Sequence, residues 1–339
     1  MTSSRVVSVF GATGLQGGAV VDALLKEGTF IPRAITRDPG SEASQKLRAR
    51  GVEVVRADST DKASLVTALR GSEAVFAVTV PVFRQTQGKG EVEQGKNMVD
   101  AAKEVGVKFF IWTSLPSLSK ISGGKYKNAS HFEDKHVVQE YLKSSGLAHA
   151  SLLLPGFLEN YWKLGILKKT DTGYTISVPI CNATTIAAYA WISRDVPAAV
   201  LTLLNNYTDP TKEIKGKEYP VVNASILYGK LAEMTAKGTH FDTDLERVYS
   251  IPVPDAHTNH PTVLDVEVTF ITAPPTGVPA LDDMARPPCY PTIHWMGVLE
   301  YGPWYKETPI PNPDLVALGM KFSTIEEFLE TEVKPRFGV

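Results

Sequence analysis

Cysteine is scarce. Cys181 and Cys289 are the two in 339 residues, too few and too far apart for a disulfide framework, and their scarcity suits a reducing compartment. No stretch of about 18 apolar residues occurs, so no transmembrane helix is expected. The apolar start, Val6–Phe10, is too short for the core of a secretory signal. Neither sign of charge prevails: 35 Lys and Arg against 37 Asp and Glu leave a net charge of −2. That balance provides no field to draw nucleic acid or an anionic membrane. A cytoplasmic protein is expected; a nuclear location stays open, although no strong basic cluster supports it. Metal-ligand patterns are missing too. His257 and His260 stand among prolines without supporting cysteines, and His131 and His136, five residues apart, share no helix face, so no metal site is expected.

A hydrophobic content of 43% is enough for a sizeable core in two lobes, or in one large domain with an appendage. Its most informative stretch is Val6-Val7-Ser8-Val9-Phe10-Gly11-Ala12-Thr13-Gly14-Leu15-Gln16-Gly17-Gly18. An apolar strand runs into a glycine-rich turn, which opens a helix with Ala19, Val20, Leu24 and Leu25 on its apolar side. Such a turn brings backbone N–H groups and a helix N-terminus against a pyrophosphate. Gly11 permits the tight turn, Gly14 lets the backbone approach the phosphates, and Gly17 lets helix and strand pack closely.

The second strand, Pro32–Thr36, runs into Arg37-Asp38-Pro39. A site selective for NAD usually has an acid here for the ribose 2′-hydroxyl. Thr36 and Arg37 occupy that place instead. A guanidinium is always charged and can grip a 2′-phosphate with two parallel bonds, so NADP(H) is the expected cofactor. Asp38 stands next to Arg37 and can partly neutralise it.

Strands and helices alternate onward. Helices are expected over Glu42–Arg50, Ser64–Leu69, Val92–Ala102 and Phe132–Ser144, the last with Val137, Val138, Tyr141 and Leu142 facing inward. Strands are expected at Val52–Val55, Ala74–Thr79, Phe109–Trp112 and Ala150–Leu154. The fold class that follows is α/β: a Rossmann doubly wound parallel sheet with a smaller α+β C-terminal substrate or lid region. Residues 1–155 would form the dinucleotide-binding domain and 156–339 the substrate region, with a helix at 192–205 packing back on the first domain. Arg37, Asp58, Thr79, Ser114 and Phe157 fall at strand ends and should cluster at the ligand crevice. A further helix is expected at Leu227–Ala236. Residues 251–291 read as a long irregular segment, with one alternating stretch, Val263–Ile271, as a strand. Ser323-Thr324-Ile325-Glu326 has the form of a capping box before a last helix. Trp295, Trp304 and Tyr305, among prolines, read more as packing than as a ligand wall.

The stretch Asn128-Ala129-Ser130-His131-Phe132-Glu133-Asp134-Lys135-His136 lies where short-chain dehydrogenases present Tyr-x-x-x-Lys. Lys135 fits the lysine. His131 stands where the tyrosine would be. The chain resembles the NmrA-like family of atypical short-chain dehydrogenases. The resemblance rests on Gly11–Gly18, Ile35-Thr36-Arg37-Asp38-Pro39, Glu91-Val92-Glu93-Gln94-Gly95-Lys96, His131–Lys135, Leu154-Pro155-Gly156-Phe157-Leu158-Glu159-Asn160 and Ser193-Arg194-Asp195-Val196. These stretches run in order through about the first 205 residues.

The resemblance implies NADP(H) contacts from Gly11, Ala12, Thr13, Gly14, Leu15, Gln16 and Gly17, and from Arg37, Asp58, Ser59, Thr79 and Lys135. It also implies contacts along Phe157, Leu158, Glu159 and Asn160. One basic contact found in some members is missing, because Glu93 stands in its place. The family holds reductases of quinones, aromatic ketones and activated double bonds, some in fungal secondary metabolism, and also non-catalytic NADP-binding regulators or redox sensors. On the reductase reading, Lys135 anchors the ribose, His131 is the candidate proton donor and Ser114 polarises the substrate carbonyl. Tyr126 and Tyr161 are further candidate donors. The partner would be a small-molecule substrate; a regulator would instead need a protein partner.

Overall fold

Val6–Phe10 and Phe109–Ser114 show no polar alternation, because these strands are covered on both faces; of the two, only Val6 is more than marginally exposed. The computed structural model describes residues 5–80, 90–126, 129–169, 173–179, 183–237, 267–273 and 309–337. Expectations for Cys181, Cys289, His257, His260, Asn128, Trp295, Trp304 and Tyr305 lie outside these residues.

The first half alternates as β1 (Val6–Phe10), α1 (Leu15–Glu27), β2 (Ile31–Thr36), α2 (Glu42–Ala49), β3 (Glu53–Arg56), α3 (Lys62–Leu69) and β4 (Ala74–Ala77). It continues with α4 (Glu91–Glu104), β5 (Phe109–Ser114), α5 (Leu118–Ile121), α6 (Ser130–Ser144) and β6 (His149–Leu153). After these come β7 (Gly156–Phe157), α7 (Asn160–Lys163), β8 (Leu167–Lys169), β9 (Gly173–Pro179), β10 (Ile186–Ala190) and α8 (Ile192–Asn206). Then follow a 3-10 turn (Pro210–Lys212), β11 (Glu218–Pro220), β12 (Ala224–Leu227), α9 (Tyr228–Lys237), β13 (Glu267–Ala273), α10 (Pro313–Ala317) and α11 (Ile325–Phe328), which runs through a π-helical turn (Leu329–Val333) into α12 (Lys334–Phe337).

Seven strands form one parallel sheet in the order β11-β6-β5-β4-β1-β2-β3. The direction of winding reverses between β1 and β4, which opens the ligand crevice of a doubly wound sheet at the carboxyl ends of those two strands. One apolar cluster lies on the face of α1 and α8; a second lies beneath α3, α4 and α6.

Chain order and sheet membership part company after residue 155. β11 returns to the large sheet beside β6, and α8 lies against α1. The short strand β11 was not expected, since three residues cannot establish an alternating pattern. The other strands form two small sheets, β12-β10-β7 and β13-β9-β8. A third apolar cluster joins Leu158, Tyr161, Ile176, Trp191, Leu231 and Phe328. The strand expected at Val263–Ile271 begins at Glu267 and runs to Ala273 within the described residues.

Two local expectations are corrected. Val137 is exposed, whereas Val138 and Leu142 are buried and Tyr141 half-buried. A helix presents only one of two adjacent residues fully to a single neighbour. The last capping box is shifted by one residue: Thr324 accepts from Glu327 N–H, while Glu327 accepts from Thr324 N–H. Ser323 is used elsewhere. Its N–H and hydroxyl donate to the buried Asp195, at 2.9 Å each, tying the C-terminal segment to the start of α8.

The contact between α4 and α6 depends on a missing side chain. A Cβ at Gly95 would stand 2.4 Å from one methyl of Val138 and 2.6 Å from the other. Gly95→Ala is therefore expected to destabilise the fold by about 1–3 kcal/mol, the range for overpacking a tight core. Urea denaturation measures it, and Val138→Ala in the same chain should return part of the loss.

Candidate functional site

The turn after β1 is built for close approach. Gly11 has a φ of +63°, and its carbonyl accepts from Gly14 N–H at 2.8 Å. A Cβ at Gly11 would lie 2.8 Å from the Val78 side chain, so the β1 turn and the end of β4 meet at the switch point. A Cβ at Gly17 would stand 2.4–2.5 Å from backbone atoms of Gly11 and Phe10. Only hydrogen at that position allows α1 to start so close to β1. The N-cap, Gly14, provides no side-chain hydrogen bond, and the first turn holds no acid. By contrast, Ser41 and Asp61 cap α2 and α3 with their own side chains. The first turn of α1 therefore keeps N–H groups and the positive helix end for an anion. Gln16 on this turn has a buried Oε1 without a partner among the described residues. Cradle and uncapped helix end fit a pyrophosphate group, while the Gln16 amide oxygen fits a donor such as a sugar hydroxyl. Ala12 is buried in this turn; Thr13 is exposed and Leu15 half-buried.

Arg37 stands exposed just past β2, and no ion pair engages it among the described residues. The Asp38 carboxylate accepts from Gly40 N–H at 2.9 Å, and the Asp38 carbonyl accepts from the Ser41 and Ser44 hydroxyls. Asp38 thus shapes the turn and forms no ion pair with the guanidinium among the described residues.

Past β3, Asp58 accepts from Thr60 N–H and Oγ1, each at 2.8 Å. Ser59 Oγ donates to Gln94 at 3.0 Å, and Asn97 donates to the Ser59 carbonyl, also at 3.0 Å. The Asp58–Ser59 segment is thereby fastened to α4.

An interior polar group joins the end of β4 to α4 and α6. Lys135 Nζ lies 2.7 Å from Glu91 Oε1 and donates to Thr79 O at 3.1 Å and to Thr79 Oγ1 at 3.0 Å. Thr79 Oγ1 in turn donates to Glu91 Oε1 at 2.6 Å. All three residues are buried. Two hydrogen bonds and an ion pair thus hold the ammonium. The second oxygen, Glu91 Oε2, is buried without a partner among the described residues. Burial, followed by the nearby charge of Glu91, pushes the Asp134 carboxyl above its ordinary value. Sequence reasoning singled out Thr79 and Lys135 but gave Glu91 no role. Its signal was its place at the start of α4 within the family stretch Glu91–Lys96.

Other candidate residues are placed less favourably for direct contact. Ser114 is buried, and its hydroxyl faces the Leu115 and Lys135 carbonyls at 3.4 and 3.5 Å. His131 lies one turn before Lys135 on the same face of α6, half-buried, with its ring edge-on to Phe132 at 4.4 Å between centroids. Tyr126 is buried beside Leu118 and Ala129. Tyr161 is buried with its hydroxyl 3.0 Å from Thr235 Oγ1, and burial pushes its pKa up, which opposes a role as acid–base group.

In the Phe157–Asn160 segment, Leu158 is sealed in the third apolar cluster. Glu159 is spent on α8: its carboxylate accepts from the N–H groups of Ile192 and Ser193 and from the Ser193 hydroxyl. The implied contact from these two side chains therefore has to come through their backbone. Phe157 and Asn160 are half-buried. Among the described residues no group of acids, histidines and cysteines could hold a metal, and no helix is long and apolar enough to cross a membrane.

Comparison with known proteins bears on this arrangement. The model of the NmrA-like family matches residues 3–261. The NmrA-like family domain-containing oxidoreductase notA of Aspergillus sp. (strain MF297-2) is 40% identical over 171 residues, 49% of each chain. The corresponding oxidoreductase malD of Malbranchea aurantiaca is 36% identical over 193 residues, 52% of this chain and 57% of the relative. The chain spans about half the length of the curated relatives it matches. NmrA, a negative transcriptional regulator, solved in complex with NADP, superposes with a TM-score of 0.70 at 14% identity, covering 98% of this chain and 96% of its own. The NADPH-dependent quinone oxidoreductase QOR2 of Escherichia coli, solved with NADPH, gives a TM-score of 0.64 at 20% identity, covering 95% of this chain and 98% of its own. At these identities the two structures establish the fold.

Removing Lys135 alone strands a buried carboxylate. Lys135→Ala is expected to cost about 3–5 kcal/mol of stability, the usual penalty for breaking a buried ion pair. Adding Glu91→Gln should recover part of it, as equilibrium denaturation of the single and double variants will show.

Proposed function

Since the chain belongs to the NmrA-like family, we propose that it is an NADP(H)-dependent oxidoreductase that reduces a ketone, quinone or enone-type small molecule. The observation that carries this reading is the pairing of the glycine cradle at the switch point with the uncommitted Arg37 at the end of β2. Main-chain N–H groups from Gly11 to Gly17 would hold the pyrophosphate, and Arg37 the 2′-phosphate. Thr79, Lys135 and the Phe157–Asn160 segment would line the far half. When bound, NADPH supplies the hydride.

The protein's own residues supply position and a proton. Lys135, fixed by Glu91 and Thr79, places a positive charge at the nicotinamide end, where it favours negative charge developing on a substrate oxygen. His131 is half-buried one turn away and is the candidate proton donor. Ser114 is the candidate group for polarising the carbonyl, after its hydroxyl leaves the long contact to the Lys135 carbonyl. The fungal relatives named as oxidoreductases support a place in fungal secondary metabolism.

A second reading is a cofactor-binding regulator acting through a protein partner. It is favoured by the engagement of the Lys135 ammonium with Glu91 and Thr79 and by a histidine where a dehydrogenase tyrosine would stand. NADPH consumption, followed by absorbance against quinones, aromatic ketones and enones, separates the two. Turnover with one substrate class supports the enzyme. Absence of turnover throughout, with NADP changing the proteins captured, would replace it with the regulator.

The cofactor assignment has its own test. Arg37→Ala is expected to weaken NADPH binding roughly 10–100-fold, as for a lost charge-assisted hydrogen bond, and to leave NADH binding unchanged. Titration by fluorescence or calorimetry reads both. A wild-type preference for NADH would overturn the assignment.

A further inference from the structure

We propose that Glu91 is a cofactor-binding residue whose free oxygen, Oε2, accepts a hydrogen bond from a ribose hydroxyl on the nicotinamide side of the dinucleotide. The proposal rests on the dinucleotide reading above.

Three observations converge on it. First, Glu91 is 1% exposed, and only one of its oxygens is engaged among the described residues. Oε1 accepts from Thr79 Oγ1 and pairs with Lys135 Nζ, at 2.6 and 2.7 Å, while Oε2 is buried with nothing donating to it. A buried acceptor without a donor is costly, and binding a donor relieves that cost. Second, Lys135 is already engaged: its Nζ donates to Thr79 O and Thr79 Oγ1 and forms an ion pair with Glu91 Oε1. A ribose oxygen accepting from Lys135 would compete with these contacts, whereas Glu91 Oε2 has none to give up among the described residues.

Third, the strand order assigns the two halves of the ligand. Arg37, past β2, lies on one side of β1; Thr79, past β4, lies on the other, with Lys135 on the helix that follows β5. With a 2′-phosphate at Arg37 and the pyrophosphate at the Gly11–Gly17 turn, the second ribose falls beside Thr79 and Glu91. The chemistry narrows the donor further. A phosphate at Glu91 would meet a carboxylate and be repelled. A sugar hydroxyl is a neutral donor, and the carboxylate is already charge-balanced by Lys135, so the hydroxyl brings no unpaired charge into the interior. Lys135 thus serves as the positioning residue that holds the carboxylate in place through Oε1, and Glu91 provides the contact.

The test compares affinities. NADPH, adenosine 2′,5′-bisphosphate and two dinucleotide analogues lacking either the 2′- or the 3′-hydroxyl of the nicotinamide ribose are titrated into wild type and Glu91→Met. Wild type is expected to bind one deoxy analogue roughly 10-fold or more weakly than its parent, as for a lost hydrogen bond to a charged group. In Glu91→Met the parent should weaken roughly 10–100-fold and the discrimination should vanish. Adenosine 2′,5′-bisphosphate, which has no second ribose, should bind both proteins alike and reports that the variant is folded. Should Glu91→Met not fold, Glu91→Gln carries the comparison, with discrimination again expected to fall.

Equal binding of both deoxy analogues and the parent by wild type overturns the proposal, as does discrimination that survives in a folded Glu91 variant. A folded variant that loses adenosine 2′,5′-bisphosphate to the same degree marks a structural role and also overturns it. Wild type that binds neither NADPH nor adenosine 2′,5′-bisphosphate overturns the cofactor reading itself, a different failure from loss of the Glu91 contact alone.

Discussion

An ammonium group in a protein interior demands acceptors, and the site forms around how Lys135 meets that demand. Its position on α6 is held from both ends of the side chain. Trp112 Nε1 donates to the Lys135 carbonyl at 3.2 Å, and the Nζ group is met by Glu91 from α4 and by Thr79 from the end of β4. Three separate elements of the sheet–helix sandwich converge on one charge. Taking such a pair out of water costs several kcal/mol per ion, and only good geometry with additional hydrogen bonds offsets it. The hydroxyl of Thr79 supplies that addition by bridging lysine and carboxylate.

The neighbouring packing serves the same register. Gly95, one turn along α4 from Glu91, lets α6 come close enough for Val138 to occupy the space of the missing side chain. The approach that buries Val138 also brings Lys135 within reach of Glu91, since both lie on the face that α6 turns toward α4 and β5. Glu133 fixes the start of the helix by accepting from the Ser117 hydroxyl and the Ser119 N–H. On the other face of the sheet, the Gly17 contact draws α1 down onto β1, and α8 packs against α1. Crevice and polar nest therefore follow from two close helix approaches, one on each face, and each depends on a glycine.

The second half of the chain contributes through buried carboxylates of another kind. Glu159 caps the start of α8 with both oxygens, and Asp195, one turn into that helix, binds the Ser323 N–H and hydroxyl and the Trp191 N–H. Burial raises the Asp195 pKa, and the hydrogen bonds from Ser323 and Trp191 work against that rise. These contacts close the C-terminal segment over α8. They explain why a stretch that resembles cofactor-contacting residues of the family, Leu158–Glu159, directs its side chains inward.

Much was legible before folding. The glycine spacing, the β-branched run ahead of it, the missing acid after β2 and the strand–helix alternation are local patterns. Backbone geometry and periodicity impose them wherever the rest of the chain goes, so they sufficed for the doubly wound sheet and the tight glycine turn after β1. The capping-box register, the outward face of Val137 and the return of β11 to the sheet were misjudged or missed because each depends on which neighbour a residue meets. Glu91 is the clearest case. As a glutamate at a helix start it is indistinguishable in sequence from a solvated helix-end acid. Tertiary structure alone decided that it would be buried against Lys135 with one oxygen left open, because that outcome requires residues 79, 91 and 135, distant along the chain, to be brought within hydrogen-bond distance by the packing of two helices on one sheet.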